Sequence, residues 1–300
     1  MARILTPEEI SQGHIPDSSA PYHAARYIVE HAIIEGESYG VASGMVFGSV
    51  AMGTADRLSD VDVLFTYGST QARTALPLIG RVIRKASVQY DVPIEELAYA
   101  EGTLTPRHRG IDPFLAGHWA EIERRYPEQW CFRSPLKDWV YDVSASGEQA
   151  DGVRTIILRY LTTKMDIYGY GMMKQDRPDY RKMQKALELP RSLGRKMLAL
   201  INADDDFHMR ASFEKDWTQS ETRRWLASLG APARPALVQF DHLIHSRAYY
   251  DECLTDVLEG AISVEQYGGW LRDNYFSCCS AAYGVCSFCR ALLEAPEEDA

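Results

Sequence analysis

Residues Val46 to Phe65 read VFGSVAMGTADRLSDVDVLF, and this stretch determines what the first part of the chain can become. Apolar runs at 45–47 and 61–66 predict two short buried strands, and the glycine and serine residues between them predict a turn and a brief helical or irregular stretch. Because side chains alternate along a strand, Asp60 and Asp62 are expected on one face. The sequence therefore predicts a strand that presents two carboxylates together.

The paired carboxylates of Asp60 and Asp62 indicate a metal site. Neighbouring anions on an apolar strand repel each other and are costly to desolvate, so they need an offsetting cation. Mg²⁺ prefers hard oxygen ligands, typically one or two carboxylates together with water and substrate phosphates. We therefore predict that these residues bind Mg²⁺, as a pair of ions, with Mn²⁺ as a substitute.

Gly48 and Ser49 suit the phosphates of a nucleotide. Glycine lets the backbone approach a ligand closely, and backbone N–H groups at a turn from strand to helix attract anions. The Ser49 hydroxyl adds a hydrogen-bond donor. We predict that both residues contact the β- and γ-phosphates of a nucleoside triphosphate.

The combination resembles the signature of the DNA polymerase beta nucleotidyltransferase superfamily. That signature is a hydrophobic residue, Gly, Ser, an interval of about ten residues, and Asp-x-Asp embedded in hydrophobic residues. The matching positions are Phe47, Gly48, Ser49, Gly53, Ser59, Asp60 and Asp62. The minimal and the aminoglycoside nucleotidyltransferases look most similar, and the resemblance covers about the first hundred residues. It implies an ATP-binding, magnesium-dependent enzyme in which Asp60 and Asp62 are catalytic.

The basic residues that contact the nucleotide are less clear from the sequence. Many small members of the superfamily carry arginines where this chain has Val50 and Met52, so the phosphate contact falls to another basic group. Candidates are Arg57 and the segment Arg154–Lys196, from which we select Lys164. That segment contains eleven Lys and Arg residues against four Asp and Glu. A solvated helix face would explain the same charge pattern.

The superfamily usually adds a third carboxylate from a neighbouring strand, which completes the metal site or accepts the proton of the attacking hydroxyl. The predicted strand 92–100 offers Glu95 and Glu96, and Asp91 precedes it. We select Glu95, which follows the apolar pair Pro93-Ile94. The other two remain alternatives at this stage.

Around this stretch, the hydrophobic periodicity predicts an α+β protein: a small mixed sheet backed by helices, followed by an all-helical bundle. Residues 103–113 predict a loop, and Ser144-Ala-Ser-Gly-Glu predicts a linker. We place a catalytic domain at 1–145 and a helical domain, for acceptor binding or interaction, at 146–300. The remaining predicted elements are helices at 20–34, 73–87, 150–167, 180–202, 214–229, 235–258 and 264–293.

Composition excludes several classes of protein. The net charge of −10 argues against a protein that coats itself in nucleic acid. The N-terminus lacks an apolar run typical of a signal peptide, and we find no unbroken apolar stretch long enough to span a bilayer, so we expect a cytoplasmic protein without a membrane partner. Four cysteines between Cys278 and Cys289 lie at helical spacings, which favours buried thiols over a zinc site.

Three hypotheses about function follow. The first is transfer of a nucleoside monophosphate, AMP from ATP, to a hydroxyl of a small-molecule acceptor such as an aminoglycoside, with release of pyrophosphate. The second keeps the chemistry but takes RNA, tRNA or protein as the acceptor, as toxin-type nucleotidyltransferases do, with Arg154–Lys196 as the docking surface. The third is a catalytically inactive nucleotide-binding module, against which the retained Asp60 and Asp62 argue.

Overall fold

The structure of the chain is a computed structural model. It describes residues 4–101, 118–119, 122–125, 129–133, 147–174, 176–201 and 215–295. The predicted loop at 103–113 and the first three residues of the predicted linker lie outside these ranges, whereas Gly147 and Glu148 begin a helix.

The chain forms two compact units. The first comprises Ile15–Asp142 with the first three residues, and the second comprises Ile4–His14 and Val143–Ala300. The segment Ile4–His14 thus belongs to the helical unit, where the Tyr267 hydroxyl donates a hydrogen bond to the Leu5 carbonyl oxygen at 2.7 Å. The division into functional domains at 145 stays a prediction.

The first unit contains a mixed sheet. Four strands within the described residues are arranged in the order β3-β2-β1-β4, in which β1 is antiparallel to both of its neighbours and β2 and β3 are parallel. The strands are β1 (Val41–Phe47), β2 (Val61–Tyr67), β3 (Ile94–Ala100) and β4 (Cys131–Phe132). Val63, Leu64 and Phe65, successive residues of β2, are all fully buried, as expected of a strand whose two faces are both covered. The predicted α+β class is confirmed.

Helices cover this sheet. They are α2 (Ala20–Ile28), α3 (Gly48–Ala51) and α4 (Ala72–Tyr90); the five-residue α1 (Pro7–Ser11) lies in the second unit. The crossover from β2 to β3 passes through α4, which is what allows those two strands to be parallel. Asp91 ends α4 in the left-handed conformation with φ 51°, which aspartate tolerates better than most residues.

The second unit is helical throughout its described part. Its helices are α5 (Gly147–Met173), α6 (Tyr180–Leu187), α7 (Leu189–Ile201), α8 (Lys215–Ser228), α9 (Arg234–Glu259) and α10 (Val264–Glu294). Helix α10 packs against α5 and α9, and Leu198 on α7 packs against Trp217 and Trp225 on α8. Ser263 and Gln266 form a capping box that begins α10.

Helix α10 is the central helix of this unit. By length and composition alone it could cross a membrane, with a mean hydropathy of 1.3 over its most apolar window, but core helices meet the same test. Cys278, Cys279, Cys286 and Cys289 are all buried free thiols on it. Burial raises the pKa of Cys278 to about 11 and that of Cys289 to about 12, so both thiols are protonated at neutral pH. These residues belong to the packed core.

Some local predictions were wrong. The helix expected at 20–34 changes at Val29 into a wider π-helical turn. The helix expected at 180–202 divides into α6 and α7, because Pro190 lacks the N–H that would continue the hydrogen-bond pattern. The short strand β4 had no clear signal in the sequence.

The run Tyr168–Gly171 predicts a helix break, and the structure contradicts it. Helix α5 continues to Met173. A Cβ atom at Gly171 would lie 3.0 Å from Cys279 Sγ, and one at Gly169 would lie 3.7 Å from the Tyr283 ring. The glycines therefore allow α10 to approach α5 closely rather than interrupting the helix.

Candidate active site

Three carboxylates converge at one end of the sheet. Asp60 lies directly before β2, Asp62 is the second residue of that strand, and Glu95 is the second residue of β3. One oxygen from each side chain lies within 4.8 Å of the others. We call Asp60, Asp62 and Glu95 the acidic cluster. The structure brings together the three residues that the sequence predicts as metal ligands.

Strand register places the third carboxylate. In the parallel pair, Glu95 lies opposite Asp62, whereas Glu96 lies opposite Val63. Successive residues of a strand point to opposite faces, so Glu96 is directed away from the cluster. Asp91 belongs to the end of α4 and is not part of the cluster either. Of the three alternatives, the geometry favours Glu95.

The other side of Asp62 is bounded by β1. Phe47, the last residue of β1, pairs with Asp62, and Gly48 follows in the left-handed conformation with φ 69°. A Cβ atom at Gly48 would overlap Asp62 Oδ2. Glycine is thus required twice at this position, once for the backbone conformation and once for the room that the carboxylate occupies.

The Gly48 amide already has a partner. Its N–H donates to His118 Nε2 at 3.1 Å, and His118 is 5% exposed. Because Nε2 accepts this bond, the imidazole is neutral with its proton on Nδ1. The Phe47 ring packs edge-to-face with the rings of His118 and Trp119, at centroid distances of 6.2 and 5.7 Å. The prediction that Gly48 contacts phosphate therefore needs a backbone group other than this N–H.

His118 is the residue that sequence reasoning missed. It occurs after a stretch of sequence rich in proline, histidine, arginine and glycine, and no spacing connects it to Gly48. Only the fold brings the two together, 70 residues apart in the chain. Its effect is indirect, because it holds the peptide that borders Asp62.

A hydrogen-bonded turn precedes β2 and fixes the backbone there. The Asp56 carboxylate accepts hydrogen bonds from the Leu58 N–H at 2.9 Å and from the Ser59 hydroxyl at 3.0 Å. The Ser59 hydroxyl in turn accepts one from the Asp56 N–H at 2.9 Å. Tyr22 holds the preceding residue, since its hydroxyl accepts from the Ala55 N–H at 3.2 Å. This turn positions the first carboxylate of the cluster, and Asp56 itself is structural.

Ser49 and Arg57, two of the predicted phosphate contacts, lie outside the acidic cluster. Ser49 is half-buried at the start of α3, and its carbonyl oxygen accepts from the Thr54 N–H at 2.9 Å. Arg57 is half-buried on the loop before β2. The pKa of Asp17 is lowered mainly by hydrogen bonds from Ser19, with smaller contributions from the charges of His23 and Arg57. Binding of nucleotide by Ser49 and Arg57 stays a prediction.

Lys164 lies in the helical unit, on α5. Its ammonium lies 5.3 Å from the centre of the Tyr160 ring, and burial lowers its pKa, as do Lys185 and Lys196, while Glu188 raises it. Its assignment to the nucleotide stays a prediction too.

The acidic cluster fits a divalent metal ion by its chemistry. Three carboxylates give only hard oxygen ligands, and two of them are half-buried while Glu95 is exposed, which leaves room for water and phosphate oxygens. A thiolate- or imidazole-preferring metal would find no matching ligand among these three side chains. Among the described residues, no other group of three acidic, histidine or cysteine side chains is arranged in this way.

Comparison with known proteins agrees with this geometry. Residues 33–108 match the family model described as a nucleotidyltransferase domain. The match contains β1, β2, β3 and the whole acidic cluster. A search among curated proteins gave no match.

Proposed function

We propose that this chain, whose residues 33–108 form a nucleotidyltransferase domain, transfers the nucleoside monophosphate of a nucleoside triphosphate, AMP from ATP, to a hydroxyl group and releases pyrophosphate. The convergence of Asp60, Asp62 and Glu95 carries the proposal. A nucleotidyltransferase needs metal at the α-phosphate, and this cluster is built from the oxygen ligands that Mg²⁺ selects.

We assign each residue of the site a role in the reaction. Asp60 and Asp62 would hold Mg²⁺, and Glu95 would complete the site and accept a proton. Bound Mg²⁺ neutralises charge on the phosphates and lowers the pKa of the attacking hydroxyl. Gly48 keeps Asp62 in place by leaving it space. Ser49, Arg57 and Lys164 are the proposed contacts of the nucleotide.

The reaction balances with these groups. The acceptor oxygen forms a bond to the α-phosphorus, and the bond from that phosphorus to the bridging oxygen of pyrophosphate breaks. The hydroxyl proton passes to the Glu95 carboxylate and then to solvent. Pyrophosphate is the leaving group, and no oxidant or further reactant is needed.

For the acceptor we propose a small molecule such as an aminoglycoside. The net charge of −10 favours a polycationic partner over a polyanionic one. The basic segment Arg154–Lys196 supports the alternative, an RNA or protein acceptor, because it concentrates positive charge in an otherwise acidic chain. We keep the proposed location in the cytoplasm as a prediction.

The test is incubation with each of the four labelled nucleoside triphosphates and Mg²⁺, alone, with aminoglycosides and with tRNA. Pyrophosphate release and transfer of label to the acceptor are both measured, and Asp60→Asn serves as the inactive control. Label on an aminoglycoside supports the first acceptor class, and label on tRNA supports the second. Nucleotide binding without pyrophosphate release under any condition would identify an inactive binding module.

A further inference from the structure

The backbone at Gly48 borders the acidic cluster just beyond the end of the sheet. The ladder between β1 and β2 ends with the pair of Phe47 and Asp62, so Gly48 is the first residue after it. A Cβ atom at Gly48 would overlap Asp62 Oδ2, so the position of this backbone limits where the carboxylate can lie. Glycine has more conformational freedom than any other residue. The space for Asp62 is therefore bounded by a residue that does not fix its own conformation.

Hydrogen bonds on both sides hold Gly48 in place. Its carbonyl oxygen accepts from the Met52 N–H at 3.2 Å, at the end of the short helix α3. Its N–H donates to His118 Nε2 at 3.1 Å. The first bond joins residues that are close in the chain, whereas the second comes from a residue 70 positions away. His118 thus fixes the N–H side of Gly48, and α3 fixes its carbonyl side.

The acceptor of this N–H is buried. His118 is 5% exposed, and Trp119 beside it is fully buried. Both rings pack edge-to-face with the Phe47 ring, which belongs to the residue directly before Gly48. A hydrogen bond in such a low-dielectric surrounding is stronger than one exposed to water. The segment 118–119 therefore holds the peptide between Phe47 and Gly48 through its N–H and through the Phe47 ring.

His118 is not placed to accept the proton of the attacking hydroxyl. Its Nε2 already accepts the Gly48 N–H, which occupies the lone pair of that nitrogen. It is also buried, whereas Glu95 is exposed and belongs to the acidic cluster. The geometry therefore gives His118 a part in placing other groups.

From these contacts we infer that His118 is a positioning residue of the metal site: by holding the Gly48 peptide, it keeps Asp62 in the orientation that binds a divalent cation. The inference rests on the part of the proposed function that places metal at the acidic cluster, and it does not need the transfer reaction. Loss of a group that orients a metal ligand commonly weakens metal binding about tenfold to a hundredfold. His118 acts through the backbone that borders the ligand, so we expect the lower end of this range.

The test is titration of the full chain with Mn²⁺, in which electron paramagnetic resonance measures the free ion. Asp62→Asn identifies the binding that belongs to the acidic cluster. His118→Phe keeps an aromatic ring against Phe47 but lacks the acceptor, and it should weaken that binding about tenfold. His118→Gln lacks the ring but offers its amide oxygen to the Gly48 N–H, so its affinity should lie within about threefold of the wild type. His118→Leu lacks both ring and acceptor, and it should match His118→Phe.

Trp119→Phe is the matched control. It trims the other aromatic side chain that packs on Phe47 and leaves the bond between His118 and Gly48 in place. It should lower Tm without changing the affinity for Mn²⁺. Thermal unfolding of every variant separates loss of stability from loss of metal binding, and His118→Leu compared with His118→Gln gives the same contrast if His118→Phe does not fold.

Three results would overturn the inference. The first is wild-type affinity for Mn²⁺ in the variants that lack the acceptor, and the second is an equal loss in His118→Gln or in Trp119→Phe. The third is a wild type without binding that depends on Asp62, which would also remove the metal site. Because nucleotide is absent from the titration, a chain that binds Mn²⁺ through Asp62 and His118 but transfers nothing refutes the proposed reaction and supports the inference.

Discussion

The acidic cluster and three lysines of the helical unit, Lys164, Lys185 and Lys196, are two groups of like charge that are built in different ways. Asp60, Asp62 and Glu95 lie on two neighbouring strands, where backbone hydrogen bonds fix the register. Lys164, Lys185 and Lys196 lie on three helices, which side-chain hydrogen bonds connect. The carboxylates therefore have spacings set by the backbone, and the lysines have spacings set by packing.

This difference predicts how each group of charges responds to a substitution. In a strand pair, a substitution that leaves the ladder intact changes the chemistry without moving its neighbours. Among packed helices, the same change in charge also alters the stability of the packing. The acidic cluster accumulates like charge that a bound cation would offset, whereas Glu188 already lies close enough to Lys164 to raise its pKa.

The largest effect is expected at the aspartates. Asp62→Asn and Asp60→Asn should each reduce kcat about a thousandfold or more, because each removes a charged metal ligand worth several kcal/mol of transition-state stabilisation. In EDTA both variants should be at least as stable as the wild type, since a repulsive charge is gone. Steady-state kinetics and thermal unfolding test the two expectations. Asp91→Asn, the same chemical change outside the acidic cluster, is the control, and normal turnover in either aspartate variant would exclude this site.

The next effect concerns Glu95. Glu95→Gln replaces a carboxylate with a neutral, poor ligand and should lower kcat by roughly a hundredfold to ten-thousandfold. Glu96→Gln should be nearly silent, since its register directs it away from Asp62. Both are measured under saturating Mg²⁺ and nucleotide. A low kcat in Glu96→Gln together with a normal kcat in Glu95→Gln would contradict the strand register.

Alanine substitutions at Gly48 and Gly53 distinguish the effect of backbone strain from that of steric overlap. Gly48 and Gly53 have φ values of 69° and 72°, so alanine should destabilise each by about 1–3 kcal/mol. Only at Gly48 does the new Cβ overlap Asp62, because nothing lies within 4 Å of a Cβ at Gly53. Gly48→Ala should therefore also raise the Mg²⁺ concentration needed for half-maximal activity about tenfold or more. Denaturant unfolding and Mg²⁺ titration of both variants distinguish the effects, and equal Mg²⁺ dependence would show that Gly48 does not position Asp62.

The smallest effect is the pH dependence of stability that Lys164 contributes. Burial first, and then Lys185, lower the pKa of Lys164 below its ordinary value of 10.5. The unfolded chain then holds this proton to higher pH than the folded chain, so raising the pH towards 10.5 stabilises the folded state. The free energy of unfolding of the wild type should rise relative to that of Lys164→Met over this window, in phosphate-free buffer. The difference in free energy of unfolding between the wild type and Lys174→Met, which removes an exposed lysine and keeps Lys164, should stay constant over this window. A pH profile of Lys164→Met parallel to that of the wild type would mean that the pKa of Lys164 is not lowered.

Local patterns were sufficient for the strands and for their carboxylates. The apolar run at 61–66 predicts β2, and its two-residue period places Asp60 and Asp62 together, because strand geometry depends on neighbours in sequence. The same reasoning predicts α4, α9 and α10 within a few residues of their ends. Selecting Glu95 needed more, since the pairing of Glu95 with Asp62 comes from the parallel register that the α4 crossover imposes.

By itself, then, the sequence determined the α+β class, the nucleotidyltransferase signature and the two aspartates, all of which depend on residues close together in the chain. Tertiary structure alone decided the contact of His118 with Gly48, which joins residues 70 positions apart. It also decided that Gly169 and Gly171 lie within α5 and that Lys164 and Lys196, from separate helices, meet beside Tyr160. Such contacts depend on how elements pack, and side-chain packing across helices leaves no period in the sequence.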